Sequence, residues 1–198
     1  MANLNSIRKS LEHTITRPIV GLVARTPLTP NALTWLGFCI TIGAAALIVL
    51  GYPFWGGVTM LIAAMFDMLD GSLARLTGRT TRFGAILDST LDRVSEALLL
   101  LAVLAVYAGN AQAWEATLTG VALLGSFMVS YIRARMEGMG IECSAGFFTR
   151  PERVAVLALG LLLSGIEYAL IIAIAILAVF SVLSAAQRLL FAWQQTRE

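Results

Sequence analysis

Four aspartates lie close together in this sequence, and their spacing suits them for chemistry. Asp67 and Asp70 stand three residues apart, and Asp88 and Asp92 stand four apart, so on helices each pair shares one face. The flanking residues are apolar enough to lie in a bilayer, where crowded carboxylates repel one another and lose hydration at a large cost. Hard divalent cations such as Mg²⁺, Mn²⁺ or Ca²⁺ remove that cost. The pattern therefore predicts a metal site with these four aspartates as ligands.

The composition predicts an integral membrane protein. The chain of 198 residues is 58% hydrophobic and 13% charged, whereas soluble domains are about 25% charged. Its 14 basic residues fall into clusters that are separated by three long stretches without Lys or Arg. Each stretch has turn residues near its middle and is long enough for two helices of about 20 apolar residues. We therefore expect an all-α fold with six transmembrane helices in three hairpins.

The distribution of charge predicts how the chain lies in the membrane. Lys and Arg mark the cytoplasmic side, and the opposite loops carry only Glu115 and Glu167. We expect a multi-pass protein of the cell membrane whose termini and aspartates face the cytoplasm. Apolar residues at helical spacing predict an N-terminal interfacial amphipathic helix and linker over 1–25. The six-helix bundle would follow over 26–198, within a single domain.

Several other classes of protein fit the sequence less well. His13 is the only histidine, and Cys39 and Cys143 lack metal-binding spacing, so we expect neither histidine catalysis nor a disulfide. An ion-coupled transporter is the alternative from another class, because acids within a membrane often mark ion paths. Such charges would lie near the bilayer midplane on broken helices, whereas each aspartate here lies at one end of a predicted span.

Arginines share the cytoplasmic rim with the aspartates. Carboxylates with divalent ions bind diphosphates, and arginines recognise phosphate through paired hydrogen bonds. Three arginines lie at the cytoplasmic ends of three different predicted spans, namely Arg133, Arg153 and Arg188. A hydrophobic bundle around such a rim predicts that one substrate is a lipid whose headgroup stays at the interface.

The aspartates belong to a longer motif. Its fixed residues are Asp67, Asp70, Gly71, Ala74, Arg75, Gly84, Asp88 and Asp92. This arrangement resembles the complete signature of the CDP-alcohol phosphotransferases, and the resemblance extends over essentially the whole chain. It implies six spans, a homodimer, two Mg²⁺ or Mn²⁺ ions, and displacement of CMP from a CDP-linked membrane lipid by an alcohol. It implies no nucleic-acid partner.

The resemblance also implies a role for each residue of the site. The four aspartates would ligate the metals, and Asp92 would also be the catalytic base that takes the proton of the attacking hydroxyl. Ten residues would bind the nucleotide of the CDP-lipid: Thr29, Pro30, Asn31, Ala32, Asp70, Gly71, Ala74, Arg75, Thr81 and Gly84. Arg133, Arg153 and Arg188 would hold the phosphate of the acceptor, with Arg150 a weaker candidate.

Three stretches of the sequence indicate one group of enzymes within this family. Segments 66–71, 130–137 and 146–153 are similar to phosphatidylinositol-phosphate synthases and to their archaeal ether-lipid counterparts, in which a lysine often stands in place of Arg133. They imply L-myo-inositol-1-phosphate as the acceptor and CDP-diacylglycerol or CDP-archaeol as the donor. Glycerol-3-phosphate also carries a phosphate, so charge alone leaves a phosphatidylglycerophosphate synthase open. The sequence leaves the choice between an ester and an ether lipid open as well.

Overall fold

The computed structural model describes residues 29–78 and 80–197, and these residues form six α-helices without a strand. The helices are α1 Pro30–Val49, α2 Pro53–Thr77, α3 Arg82–Gly109, α4 Ala113–Glu137, α5 Arg150–Leu162 and α6 Ala169–Gln195. They lie where the clusters of charge and the turn residues predict helices, so the all-α prediction is confirmed. The predicted interfacial helix in residues 1–25 lies outside the described residues.

Four of these helices are long and apolar enough to cross a membrane, namely α1, α2, α4 and α6. The chain is therefore a membrane protein. Helix α3 has 28 residues, but charged side chains such as Asp88, Asp92 and Glu96 lie between its start and its middle. Helix α5 has only 13 residues, which is shorter than the roughly 20 residues that a span needs. Length and composition thus support four of the six expected spans.

Local sequence explains where the helices around the aspartates begin and end. Thr29 caps α1, because its Oγ1 accepts a hydrogen bond from the backbone N of Ala32 at 3.2 Å. Thr81 caps α3 in the same way through the backbone N of Gly84 at 2.9 Å. Gly78 ends α2 in the left-handed conformation, with φ 63°. Only a short connection separates α2 from α3, and the two aspartate pairs lie on the helices at either side of it.

A capping box defines the start of α5. The backbone N of Thr149 donates to Glu152 Oε2 at 2.9 Å, and the Thr149 hydroxyl bonds to the same carboxylate. The first turn of α5 carries Arg150 and Arg153, so the capping box also determines where these two arginines enter the bundle.

The interior of the bundle is apolar and closely packed. Leu157 and Leu161 of α5 and Ile174 and Leu177 of α6 are almost completely buried. Small residues let the helices approach one another; a Cβ added at Gly57 of α2 would lie 2.9 Å from the Cβ of Leu161. This close contact brings α5 against α2, the helix that carries Asp67 and Asp70.

Candidate active site

Aspartates line two cavities, the first between α1, α2 and α3 and the second between α3, α4, α5 and α6. The first has a volume of about 190 Å³ and is lined by Asp70 and Asp88 together with small residues; we call it the small-residue cavity. The second has a volume of about 330 Å³ and is lined by Asp92 and several arginines; we call it the arginine cavity. The aspartate motif thus contributes side chains to both cavities.

Most of the residues predicted to bind the nucleotide line the small-residue cavity. They are Pro30, Asn31, Asp70, Gly71, Ala74, Arg75, Thr81 and Gly84. The predicted residues Thr29 and Ala32 are not among its lining residues and instead form the cap of α1. Thr34, Thr80 and Ala85 also line the cavity, and the sequence reasoning did not single them out.

Thr34 fixes the orientation of Asp70. The two side chains are buried, and the Thr34 hydroxyl donates to Asp70 Oδ2 at 2.6 Å. The same hydroxyl lies 3.1 Å from the carbonyl oxygen of Pro30. Thr34 lies one helical turn after Pro30, which is predicted to border the nucleotide. This position could have identified Thr34 from the sequence.

Arg150 joins the two aspartate pairs. Its Nη2 lies 2.9 Å from Asp67 Oδ2 on α2 and 2.8 Å from Asp92 Oδ1 on α3. One nitrogen of α5 therefore bridges carboxylates from two other helices. The four aspartates are also close enough to interact electrostatically, since Asp92 experiences the charges of Asp67, Asp70 and Asp88.

The chemistry of these groups fits a divalent cation, although the ligand set is not assembled as the side chains stand. Among the described residues, no three His, Cys, Asp or Glu side chains are arranged to hold a metal ion. Asp67 and Asp92 are engaged with Arg150, and Asp70 accepts from Thr34. Carboxylates from two helices nevertheless converge on one positive group, which is the donor set that hard cations prefer. The assignment of the four aspartates as metal ligands stays a prediction.

The arginine cavity gathers cations from four helices. The three predicted acceptor residues all line it, and so does the weaker candidate: Arg133 of α4, Arg153 and Arg150 of α5, and Arg188 of α6. Arg93 of α3 lines it too, and the sequence reasoning missed it, although it directly follows Asp92. The structure thus brings together residues that lie far apart in the sequence.

These arginines differ in how firmly the protein holds them. Arg153 is buried and pairs with Glu96 through both carboxylate oxygens, at 2.6 and 2.8 Å. Arg188 donates to the carbonyl oxygens of Val129 and Ala145 at 2.6 and 3.0 Å. Arg133, by contrast, forms an exposed pair with Glu137, which contributes little rigidity. Glu96 was not predicted from the sequence; its position one turn after Asp92 was the available signal.

Gly146 lets the loop before α5 close over Arg188. It has a φ of +96°, and a Cβ at this position would lie 2.5 Å from Arg188 Nε and 2.9 Å from Ser184 Oγ. Glycine therefore meets two requirements here, the left-handed backbone and the close approach to the guanidinium. The loop packs against the arginine while its neighbour Ala145 accepts the hydrogen bond.

Comparison with known sequences gives a consistent match. Residues 27–187 match the family model described as CDP-alcohol phosphatidyltransferase. The chain is 37% identical over 187 residues to a phosphatidylinositol phosphate synthase of Mycobacteroides abscessus, covering 88% of this chain and 82% of that relative. It is 33% identical over 204 residues to an archaetidylinositol phosphate synthase of Methanothermobacter thermautotrophicus, with full coverage of both chains.

The fold is similar to crystal structures of the Mycobacterium tuberculosis phosphatidylinositol phosphate synthase. The structure with CDP-DAG bound matches with a TM-score of 0.84 and 35% identity, covering 90% of this chain and 94% of that chain. The structure in complex with manganese and citrate matches with a TM-score of 0.85 and 36% identity, covering 90% and 89%. With the aspartate motif, the match over most of the chain shows that this protein belongs to the CDP-alcohol phosphatidyltransferase family.

Proposed function

We propose that this protein transfers the phosphatidyl or archaetidyl group of a CDP-linked lipid to L-myo-inositol-1-phosphate and releases CMP, in phospholipid biosynthesis. The observation that carries this proposal is the arrangement of the two cavities. Asp70 and Asp88 line the cavity suited to a nucleotide, and Asp92 lines the cavity rich in arginine. A donor in the first and a phosphorylated acceptor in the second would meet at the aspartates. The names of the relatives, which are inositol-phosphate lipid synthases, support this choice.

The small-residue cavity would hold the CDP part of the donor. Gly71 and Ala74 offer a flat surface of α2 against which cytidine could lie, with Arg75 and Thr81 beside it. Two Mg²⁺ or Mn²⁺ ions bound by the four aspartates would neutralise the diphosphate and the leaving CMP. The manganese in a relative's structure supports a divalent ion.

Asp92 would act on the acceptor as the general base. In the proposed reaction the acceptor hydroxyl oxygen bonds to the phosphorus that carries the lipid, and the bond from that phosphorus to CMP breaks. Asp92 takes the proton from the hydroxyl as the new bond forms. Its carboxylate lines the arginine cavity, so the base and the acceptor phosphate would occupy the same space.

The arginine cavity favours an acceptor with a phosphate group. Arg133, Arg153 and Arg188 would hold that phosphate, with Arg150 as a fourth candidate. Each charged hydrogen bond contributes about 1.5–3 kcal/mol, and a neutral alcohol would offer these guanidinium groups no charged acceptor. Inositol phosphate therefore fits this space better than free inositol or serine.

The proposal includes the arrangement in the membrane. We propose six spans, a location in the cell membrane, and termini and active site on the cytoplasmic side, because the basic residues cluster at one side of the helices. Large apolar side chains on the outer faces of the helices, such as Leu124, Leu159 and Leu189, are exposed and would contact lipid. A homodimer is proposed from the family resemblance alone.

A CMP-release screen tests the function. Purified protein would receive CDP-diacylglycerol with inositol phosphate, inositol, glycerol-3-phosphate or serine, and we expect inositol phosphate to give the highest rate. A higher rate with glycerol-3-phosphate would overturn the acceptor, and a higher rate with inositol would overturn the argument from the arginines. Ion uptake into proteoliposomes without CMP release would favour a transporter. Mass spectrometry of co-purified lipid would identify the ester or ether donor.

A further inference from the structure

Arg150 occupies the position between two carboxylates that are predicted to bind metal. Its Nη2 contacts Asp67 Oδ2 and Asp92 Oδ1 at 2.9 and 2.8 Å. A divalent ion takes such oxygens at roughly 2.0–2.6 Å, depending on the ion, so it would compete with the guanidinium for the same atoms. The two cations would also repel each other at this distance. Metal binding and the contacts of Arg150 with Asp67 and Asp92 are therefore in competition.

Arg150 is also incompletely satisfied where it lies. Its Nε is buried and has no hydrogen-bond partner, and a buried donor without a partner is costly. Arg153 differs, because Glu96 accepts from both its Nε and its Nη2. The contacts of Arg150 thus hold only one end of the guanidinium, which favours its movement to another position.

A second position for Arg150 is available next to the first. Its side chain is 31% exposed, and it lines the arginine cavity together with Arg133 and Arg188. An anion in that cavity would attract a guanidinium released from Asp67 and Asp92. A small rotation of one side chain would therefore carry positive charge from the metal ligands to the acceptor phosphate.

We propose that Arg150 exchanges with divalent cations at Asp67 and Asp92 and, once displaced, binds the phosphate of the acceptor. Metal binding would then complete the acceptor site, and by linkage the acceptor would strengthen metal binding. This coupling rests on the proposed function, because it assigns the metal to the aspartates and a phosphate to the arginine cavity. It makes Arg150 a group shared between the two sites.

The first test measures Mn²⁺ binding to the purified full-length protein by calorimetry and by electron paramagnetic resonance, without substrate. Removing the competing cation in Arg150→Gln should tighten Mn²⁺ binding by about fivefold or more. Arg150→Lys keeps a competing charge and should stay near wild type. Arg93→Gln is the matched control, since it removes one positive charge from the same cavity while Arg93 bonds to the Ser89 carbonyl oxygen. Equal affinity in the two glutamine variants, or weaker binding in Arg150→Gln, would overturn the exchange.

The second test measures the coupling between Mn²⁺ and the acceptor. In wild type and in Arg93→Gln, we expect saturating Mn²⁺ to tighten binding of inositol phosphate. In Arg150→Gln, the ratio of the affinities with and without Mn²⁺ should be smaller by about fivefold or more. If Mn²⁺ tightens acceptor binding in Arg150→Gln as much as in wild type, the shared role of Arg150 is wrong. That result would leave the proposed function intact, provided that the protein still releases CMP with inositol phosphate. If the screen selects glycerol-3-phosphate instead, the same measurement with that acceptor tests the coupling although the proposed acceptor has failed.

Discussion

Glu96 and Arg153 form a buried ion pair that ties α3 to α5 beside the predicted reacting groups. Arg153 Nε lies 2.6 Å from Glu96 Oε1, and Arg153 Nη2 lies 2.8 Å from Glu96 Oε2. Their side chains are only 2% and 10% exposed. The parallel geometry, with two nitrogens on two oxygens, is the strongest arrangement of such a pair. It determines where the first turn of α5 lies relative to Asp92.

Glu96→Gln should destabilise the protein substantially. The change leaves Arg153 charged and buried without a counter-ion, which costs about 3–5 kcal/mol in comparable buried pairs. The loss would be measured as the shift of thermal or denaturant unfolding in detergent. Glu137→Gln is the matched control, because the pair of Glu137 with Arg133 is about half exposed and such pairs contribute about 0–1 kcal/mol. Equal shifts in the two variants would contradict a structural role for Glu96.

Gly71→Ala should weaken binding of the CDP-lipid without destabilising the fold. A Cβ at Gly71 would meet only Arg75 Nη1, at 3.5 Å, so the protein itself has room for the methyl group. Alanine also favours a helix by about 1 kcal/mol over glycine. The added group would instead project into the space proposed for cytidine. We expect the KM for the CDP-lipid to rise while the unfolding temperature stays the same or increases.

The control for this prediction is Gly43→Ala in α1, where an added Cβ meets nothing within 4 Å. That variant should gain the same helical stability and keep the KM of wild type. An unchanged KM in Gly71→Ala would show that the nucleotide does not lie against this part of α2.

The aspartate motif could be predicted from sequence because it depends on spacing along two helices. Asp67 and Asp70 lie within one turn of α2, and Asp88 and Asp92 lie on successive turns of α3, so their grouping follows from helix geometry. The helices themselves follow from long apolar stretches between clusters of charge. Both parts of the prediction use relations between residues that are close in sequence.

The partners of the arginines could not be predicted in the same way. Arg150 lies 83 residues from Asp67, and Arg153 lies 57 residues from Glu96. Such pairs depend on how α5 packs against α2 and α3, and several arginines in the rim could satisfy the same carboxylate. Tertiary packing therefore decides which arginine contacts the aspartates predicted to bind metal and which only lines the arginine cavity.

Gly146→Ala should impair binding of the acceptor by displacing Arg188. The new Cβ would lie 2.5 Å from Arg188 Nε, so the guanidinium must move and the hydrogen bond to Ala145 is strained or lost. We expect a higher KM for inositol phosphate, with the KM for the CDP-lipid unchanged. Steady-state CMP release with each substrate varied in turn measures both values.

Gly140→Ala separates this effect from backbone strain. Gly140 also has a positive φ, +77°, but an added Cβ meets nothing within 4 Å. Alanine at a left-handed position costs about 1–2 kcal/mol, so both variants share this loss of stability and only Gly146→Ala adds the clash with Arg188. If Gly140→Ala raises the KM for inositol phosphate as much as Gly146→Ala does, the effect comes from the loop backbone rather than from Arg188.

Asp92→Asn should abolish turnover while binding of the CDP-lipid is better preserved than in Asp67→Asn. The amide keeps the shape of the side chain but cannot take a proton, and a general base contributes about 10²–10⁴-fold to the rate. Binding of a CDP-lipid to each variant and single-turnover CMP release measure the two quantities separately. Activity of Asp92→Asn equal to that of wild type would remove the assignment of Asp92 as the base.

Removal of divalent metal should stop CMP release. Asp70, Asp88 and Asp92 line the two cavities, and Asp67 shares Arg150 with Asp92. Two like charges 4 Å apart repel by about 4 kcal/mol at an effective dielectric constant of 20. A donor that carries negative phosphates would therefore bind poorly without a cation between them. We expect EDTA to abolish activity and excess Mg²⁺ or Mn²⁺ to restore it, with full recovery of activity as the control for intact protein. Full activity in EDTA, with bound metal shown to be absent by elemental analysis, would refute the metal-dependent mechanism.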